Sequence, residues 1–89
     1  MRAKYIILMD SHGIEHAIVF SPIKNHGDFL YLEDGIHTKI VSAGLVTISN
    51  NFNNNSDEPL IQCYGMSVTL GINSRGKTDD EIIKRNFVE

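Results

Sequence analysis

Few residues of this chain have types suited to chemistry: four histidines, one cysteine, and a set of serines and basic groups placed among glycines. His12 and His16 are four apart, a spacing that puts two metal ligands on one face of a helix. Here they fall in a hairpin loop and a strand, where it has no such meaning. Cys63 lies in a β-type run beside Ile61, which reads as a buried, inert thiol rather than a nucleophile. Gly65-Met66-Ser67 begins like a nucleophile elbow, but Thr69 stands where the second glycine belongs. The acidic groupings Glu33-Asp34, Asp57-Glu58 and Asp79-Asp80-Glu81 are accounted for by turn, loop and helix-capping roles. No catalytic residue, metal-ligand set or cofactor is assigned on these grounds. The enzyme alternative is a small hydrolase or metal-dependent enzyme that uses His16, His26 or His37 with a nearby acid.

A second constellation is small and polar. Ser42 and Gly44 flank Ala43, Gly65 and Ser67 flank Met66, and Ser74, Arg75 and Lys77 lead into the last predicted helix. Hydroxyls, free backbone amides and a guanidinium before a helix N-terminus suit a small anion such as a nucleotide. The phosphate-loop spacing is absent, and Asp79, Asp80 and Glu81 compete for the same helix end. The plain alternative is a strand-to-helix turn in which Arg75 pairs with an acidic neighbour.

These groups must be positioned by short elements. Residues 4–10 and 14–21 are two β-type runs separated by Ser11-His12-Gly13, a hairpin pattern. The first is apolar on both faces; the second puts Ile14, His16, Ile18 and Phe20 on one face and Glu15, Ala17 and Val19 on the other. Over residues 22–35 the period is undecided between a strand ending in an Asp-Gly turn and, leaned to slightly, a short helix near residues 25–33 capped by Asn25 or Asp28, with Asp34-Gly35 to end it. Residues 36–49 read as β with a bulge or bend at Ser42-Ala43-Gly44. Residues 50–59 are a polar loop of turn formers, expected to be mobile. Residues 60–65 and 66–72 read as strands, the latter with Met66, Val68, Leu70 and Ile72 on one face and Ser67, Thr69 and Gly71 on the other. Thr78 to Glu81 form a capping box, and Ile82, Ile83 and Phe87 give the helix behind it a docking stripe. The expected fold is α+β: a mostly antiparallel sheet of five to six strands with a C-terminal helix, in one domain spanning residues 1–89.

Composition narrows the classes. Hydrophobic residues make up 42% and charged residues 21%, a globular balance. Eight basic and 11 acidic residues give a net charge of −3 with no basic stripe, which argues against nucleic acid as a partner. No apolar run approaches the ~20 residues of a membrane span, and a lone cysteine suits a reducing, cytoplasmic setting. A chain of 89 residues buries a modest core, so sharing a face with a second copy is an economical way to add buried area.

Three segments carry a resemblance: Lys4-Tyr5-Ile6-Ile7-Leu8, then Val41-Ser42-Ala43-Gly44-Leu45-Val46, then the stretch from Cys63-Tyr64-Gly65 through Asn73-Ser74-Arg75. Their order resembles small proteins of bacteria and their phages that have no assigned activity. The resemblance implies an accessory protein of the kind that binds a host protein. The expected function is a non-enzymatic binding module, acting as a homo-oligomer, with Ser42, Gly44, Gly65, Ser67, Ser74, Arg75 and Lys77 in its contact surface. A structural subunit of a larger assembly is the third reading.

Overall fold

The computed structural model describes residues 1–34, 37–50 and 59–88. Four strands form one antiparallel sheet: β1 (Arg2–Met9), β2 (Glu15–Phe20), β3 (Lys39–Asn50) and β4 (Pro59–Tyr64), in the order β2-β1-β3-β4. β5 (Met66–Ser67) and β6 (Ile72–Asn73) pair as a separate two-stranded ribbon. A 3-10 helix spans His26–Leu32, and helix α1 spans Lys77–Val88. The α+β architecture expected from the sequence is the one observed.

β1 sits inside the sheet, as its apolar residues on both faces require. On one face Ala3, Tyr5 and Ile7 pack with Val46, Ile61 and Cys63 beneath Ile82 and Ile83 of α1. On the other, Ile6, Ile40 and Ala43 are covered by Phe29 and Leu32 of the 3-10 helix and by Leu70 and Ile72 around the β5–β6 ribbon. The β1–β2 connection is the expected hairpin, with Gly13 at φ 78° and the Asp10 amide donating to the Ile14 carbonyl.

The undecided segment resolves as the 3-10 helix. The Asp28 carboxylate accepts the Asn25 amide at its start, and the Glu33 amide donates to Leu30 at its end. The expected bend in the middle strand is a shift of register opposite Ile7 and Leu8, where β3 steps from Ser42 to Ile40. Asn50 and Pro59, taken as the ends of the polar loop, are strand residues that pair with each other. The loop between them, and Gly35, lie outside the described residues.

Residues 66–72 are a correction. The alternation that suggests one strand is broken by a turn over residues 68–71, in which Gly71 takes φ 66° and donates its amide to the Ser67 carbonyl. Ser67 Oγ also accepts the Leu70 amide, so the chain folds back after two strand residues. Ser67 is therefore buried and Val68 is 83% exposed, the reverse of the expected faces. A positive-φ glycine and a serine that bonds its own turn outweigh period-2 patterning here.

Candidate functional site

The polar constellation assembles where α1 meets the sheet, and its centre is Asp79, which is completely buried. Gly76 takes φ 58° immediately before the helix, and the Asp80 amide donates to its carbonyl. The helix therefore starts at Lys77, one residue before the expected Thr78 cap, and the carboxylate that reaches back from its first turn is Asp79. Asp79 Oδ2 accepts the Arg75 amide at 2.9 Å and the Tyr5 hydroxyl at 2.5 Å. Asp79 Oδ1 accepts Ser42 Oγ and Arg75 Nε, each at 2.9 Å. A carboxylate has about four lone-pair directions, and all four are filled.

The surrounding groups are bonded in turn. Arg75 presents the rest of its guanidinium to both carboxylate oxygens of Glu15 on β2, so one side chain bridges helix, sheet edge and turn. This is the plain reading of Arg75, pairing with acidic neighbours, and it raises the guanidinium pKa further. Tyr5 has a single proton, which it gives to Asp79; Ser74 Oγ, 2.7 Å away, then donates to the phenol oxygen and accepts the Gly76 amide. Burial, reinforced by the Asp79 carboxylate, pushes the Tyr5 pKa far up and keeps the phenol neutral.

Gly44 lies beneath this cluster for a steric reason. A Cβ there would stand 2.6 Å from the Tyr64 carbonyl and 3.1 Å from Ser74 Cβ. Gly65 takes φ 77° at the corner between β4 and β5 and accepts the Ser74 amide through its carbonyl. Of the seven residues singled out in the sequence, Ser42, Gly44, Ser74 and Arg75 therefore meet around Asp79, and Gly65 braces them. Ser67 is elsewhere, inside the β5–β6 turn, and Lys77 is exposed on the first turn of α1.

Sequence reasoning missed Tyr5, Glu15 and Asp79. Asp79 carries a signal, its place four residues after Arg75, and so does a phenol within the apolar run Tyr5-Ile6-Ile7-Leu8, since a buried hydroxyl needs a partner. Glu15 carries none, because its meeting with Arg75 spans 60 residues.

The histidines are placed apart. His16 Nε2 lies 2.9 Å from Asp10 Oδ2 and His37 Nδ1 lies 3.0 Å from Asp34 Oδ2, both pairs at the surface. Asp10 also accepts the His12 and Ile14 amides; these bonds, with His16 foremost, hold its pKa below the ordinary range. His26 is buried and donates Nε2–H to the Gly44 carbonyl at 2.9 Å, with its ring edge-on to Phe20. Among the described residues no three potential metal ligands cluster. Cys63 is buried, as expected, and desolvation beside Asp80 raises its thiol pKa well above the usual value.

The Asp80 carboxylate has a further role. It accepts the Cys63 backbone amide at 2.6 Å, on the side of β4 that faces away from β3. It thus occupies a donor that a neighbouring strand would otherwise take.

No family model matches this chain, and no match was found among curated proteins or solved structures.

Proposed function

We propose that this protein is a non-enzymatic interaction module that assembles with copies of itself. The observation that carries the reading is the closure of the polar cluster: Tyr5, Ser42 and both Arg75 donors fill the Asp79 carboxylate, and Arg75 turns its two remaining nitrogens to Glu15. An anion approaching Arg75 would have to displace Glu15 and would face the buried charge of Asp79. What the fold leaves unspent is apolar. Ile14, Leu60, Tyr64, Met66 and Val68 are exposed, and edge strand β2 carries half-buried apolar side chains on both faces. The resemblance to small accessory proteins of bacteria and their phages agrees with a module of this kind.

Sedimentation equilibrium on the purified 89-residue chain tests the reading, alongside a thermal-shift panel of nucleotides, inorganic phosphate and divalent metals. The expected result is reversible self-association and no ligand-induced shift. A nucleotide or phosphate shift abolished by Arg75→Ala would replace this reading with an anion site, and a metal shift would favour the enzyme alternative.

A further inference from the structure

The two edges of the sheet are finished differently, and the difference points to one of them as a seam. Hydrogen-bonded pairs alternate along an antiparallel ladder, so the orientation of each strand's amides follows from any one bond. The Asp10 amide bonds the Ile14 carbonyl at the hairpin, and the register continues through Leu8↔His16, Ile6↔Ile18 and Lys4↔Phe20. His16, Ile18 and Phe20 therefore bond β1, whereas the backbone groups of Glu15, Ala17 and Val19 point out of the sheet. Among the described residues nothing bonds those outward groups. At the opposite edge Asp80 takes the corresponding amide, that of Cys63.

β2 also lacks the devices that keep edges apart. Glu15–Phe20 contains no lysine, proline or bulge, and Ala17, Ile18, Val19 and Phe20 are half-buried and apolar on both faces. That is the pattern of an inner strand. β4 reads as an edge by comparison, alternating buried Ile61 and Cys63 with exposed Leu60, Gln62 and Tyr64.

We propose that β2 pairs antiparallel with β2 of a second copy about a two-fold axis at Ile18, joining two sheets into one of eight strands. This specifies the surface of the self-association proposed above and rests on that reading. Three features select this partner and this register. Ile18 faces Ile18 of the second copy and Ala17 faces its Val19, so apolar residues meet apolar ones. Ile14, 55% exposed, falls opposite Pro22 of the second copy, at the rim of an open groove of about 380 Å³ between Arg2, Ala3, Val19, Phe20 and Pro22. The charges also complement each other. Asp10 stands at the hairpin end of the face that carries Ile18, and Arg2 and Lys4 near the other end of that face, so an antiparallel pair turns the acidic end of each sheet toward the basic end of the other. Because Asp80 occupies the Cys63 amide and Pro59 has none, the β4 edge keeps only the Ile61 amide as an outward donor, and the assembly closes as a dimer rather than extending.

The test is sedimentation equilibrium of the 89-residue chain, comparing wild type with Ala17→Pro, which removes an outward amide while leaving the ladder to β1 untouched. The dimer dissociation constant is expected to rise about tenfold or more, and to rise with added salt in the wild type. Should Ala17→Pro fail to fold, Ile18→Cys decides the matter. Facing non-hydrogen-bonded residues lie ~4.5 Å apart, so oxidation should link two copies through position 18, with Cys63 buried and out of reach. If the wild type is a dimer, yet Ile18→Cys forms no such link and Ala17→Pro leaves the dissociation constant unchanged, the β2 seam is overturned and self-association stands. A wild-type monomer at every concentration overturns both, and leaves the edge to an extended segment of a different protein.

Discussion

Helix α1 and the layer opposite it both bury apolar side chains against the same sheet, yet the helix is fixed by two adjacent carboxylates, one of them completely buried, and the other layer by a single one at its margin, where exposed Glu33 accepts the Ile40 amide. Asp79 and Asp80, adjacent in sequence, anchor the helix to β1, β3, β4 and the Arg75 turn through five hydrogen bonds. The opposite layer rests on Phe29, Leu32, Leu70 and Ile72, with the His26 imidazole as its buried polar contact to the sheet. Apolar packing tolerates small slides, while a four-fold-bonded carboxylate accepts one position. The helix layer should therefore be the more precisely placed and the more easily ruined by one substitution.

The largest expected effect is that of Asp79→Ala. It strands the Ser42 hydroxyl, leaves that of Tyr5 with Ser74 alone and Arg75 with Glu15 alone, at a cost of roughly 3–5 kcal/mol, a large share of a small domain's stability. Urea unfolding monitored by circular dichroism measures it, and Asp79→Asn should cost less by keeping part of the hydrogen bonding. Gly44→Ala comes next, because the new methyl meets backbone rather than a movable side chain; about 2–3 kcal/mol is expected in the same assay. In the opposite layer His26→Ala should cost about 1–3 kcal/mol by removing the second, buried donor to the Gly44 carbonyl and leaving a gap beside Phe20. If His26→Ala matched or exceeded Asp79→Ala, the contrast between the layers would be wrong.

A pH dependence follows for the helix layer. Tyr5 and Cys63 both have folded pKa values raised above their ordinary 10.0 and 9.0, so at alkaline pH the folded state holds protons that the unfolded state releases. Their contribution is full below those ordinary values and is lost as pH rises past them. The melting temperature should fall above pH 9, and Cys63→Ala should delay that fall toward pH 10, where the phenol takes over. Asp10 gives the smallest effect, with the opposite sign. Its depressed pKa contributes stability that is present above its ordinary value of 3.8 and lost as pH falls through the folded value. An NMR titration should place the Asp10 midpoint below that of an unperturbed aspartate, with His16→Ala moving it back.

The sequence made the helix layer partly legible and the other layer hardly at all. Ser42, Gly44, Ser74 and Arg75 stood out by type, and they do converge, but the residue that unites them was hidden in an acidic run that helix capping already explained. The capping motif was a near miss, because Gly76 in a left-handed conformation caps the helix two residues before Thr78. Residues 66–72 misled because alternation records which residues are apolar, not where a positive-φ glycine turns the chain. Residues 22–35 were ambiguous since a 3-10 helix has neither the 3.6-residue nor the two-residue period.

The Asp80 contact to β4 also bears on how the chain is made. β4 leaves the ribosome before α1 does, so for a short interval the sheet presents two open edges, and its second one is covered only when the following segment docks. A nascent or truncated chain lacking α1 would expose Ile61, Cys63 and the unpaired Cys63 amide together. The helix thus acts on its own chain as a chaperone would, shielding a sticky strand until folding is complete.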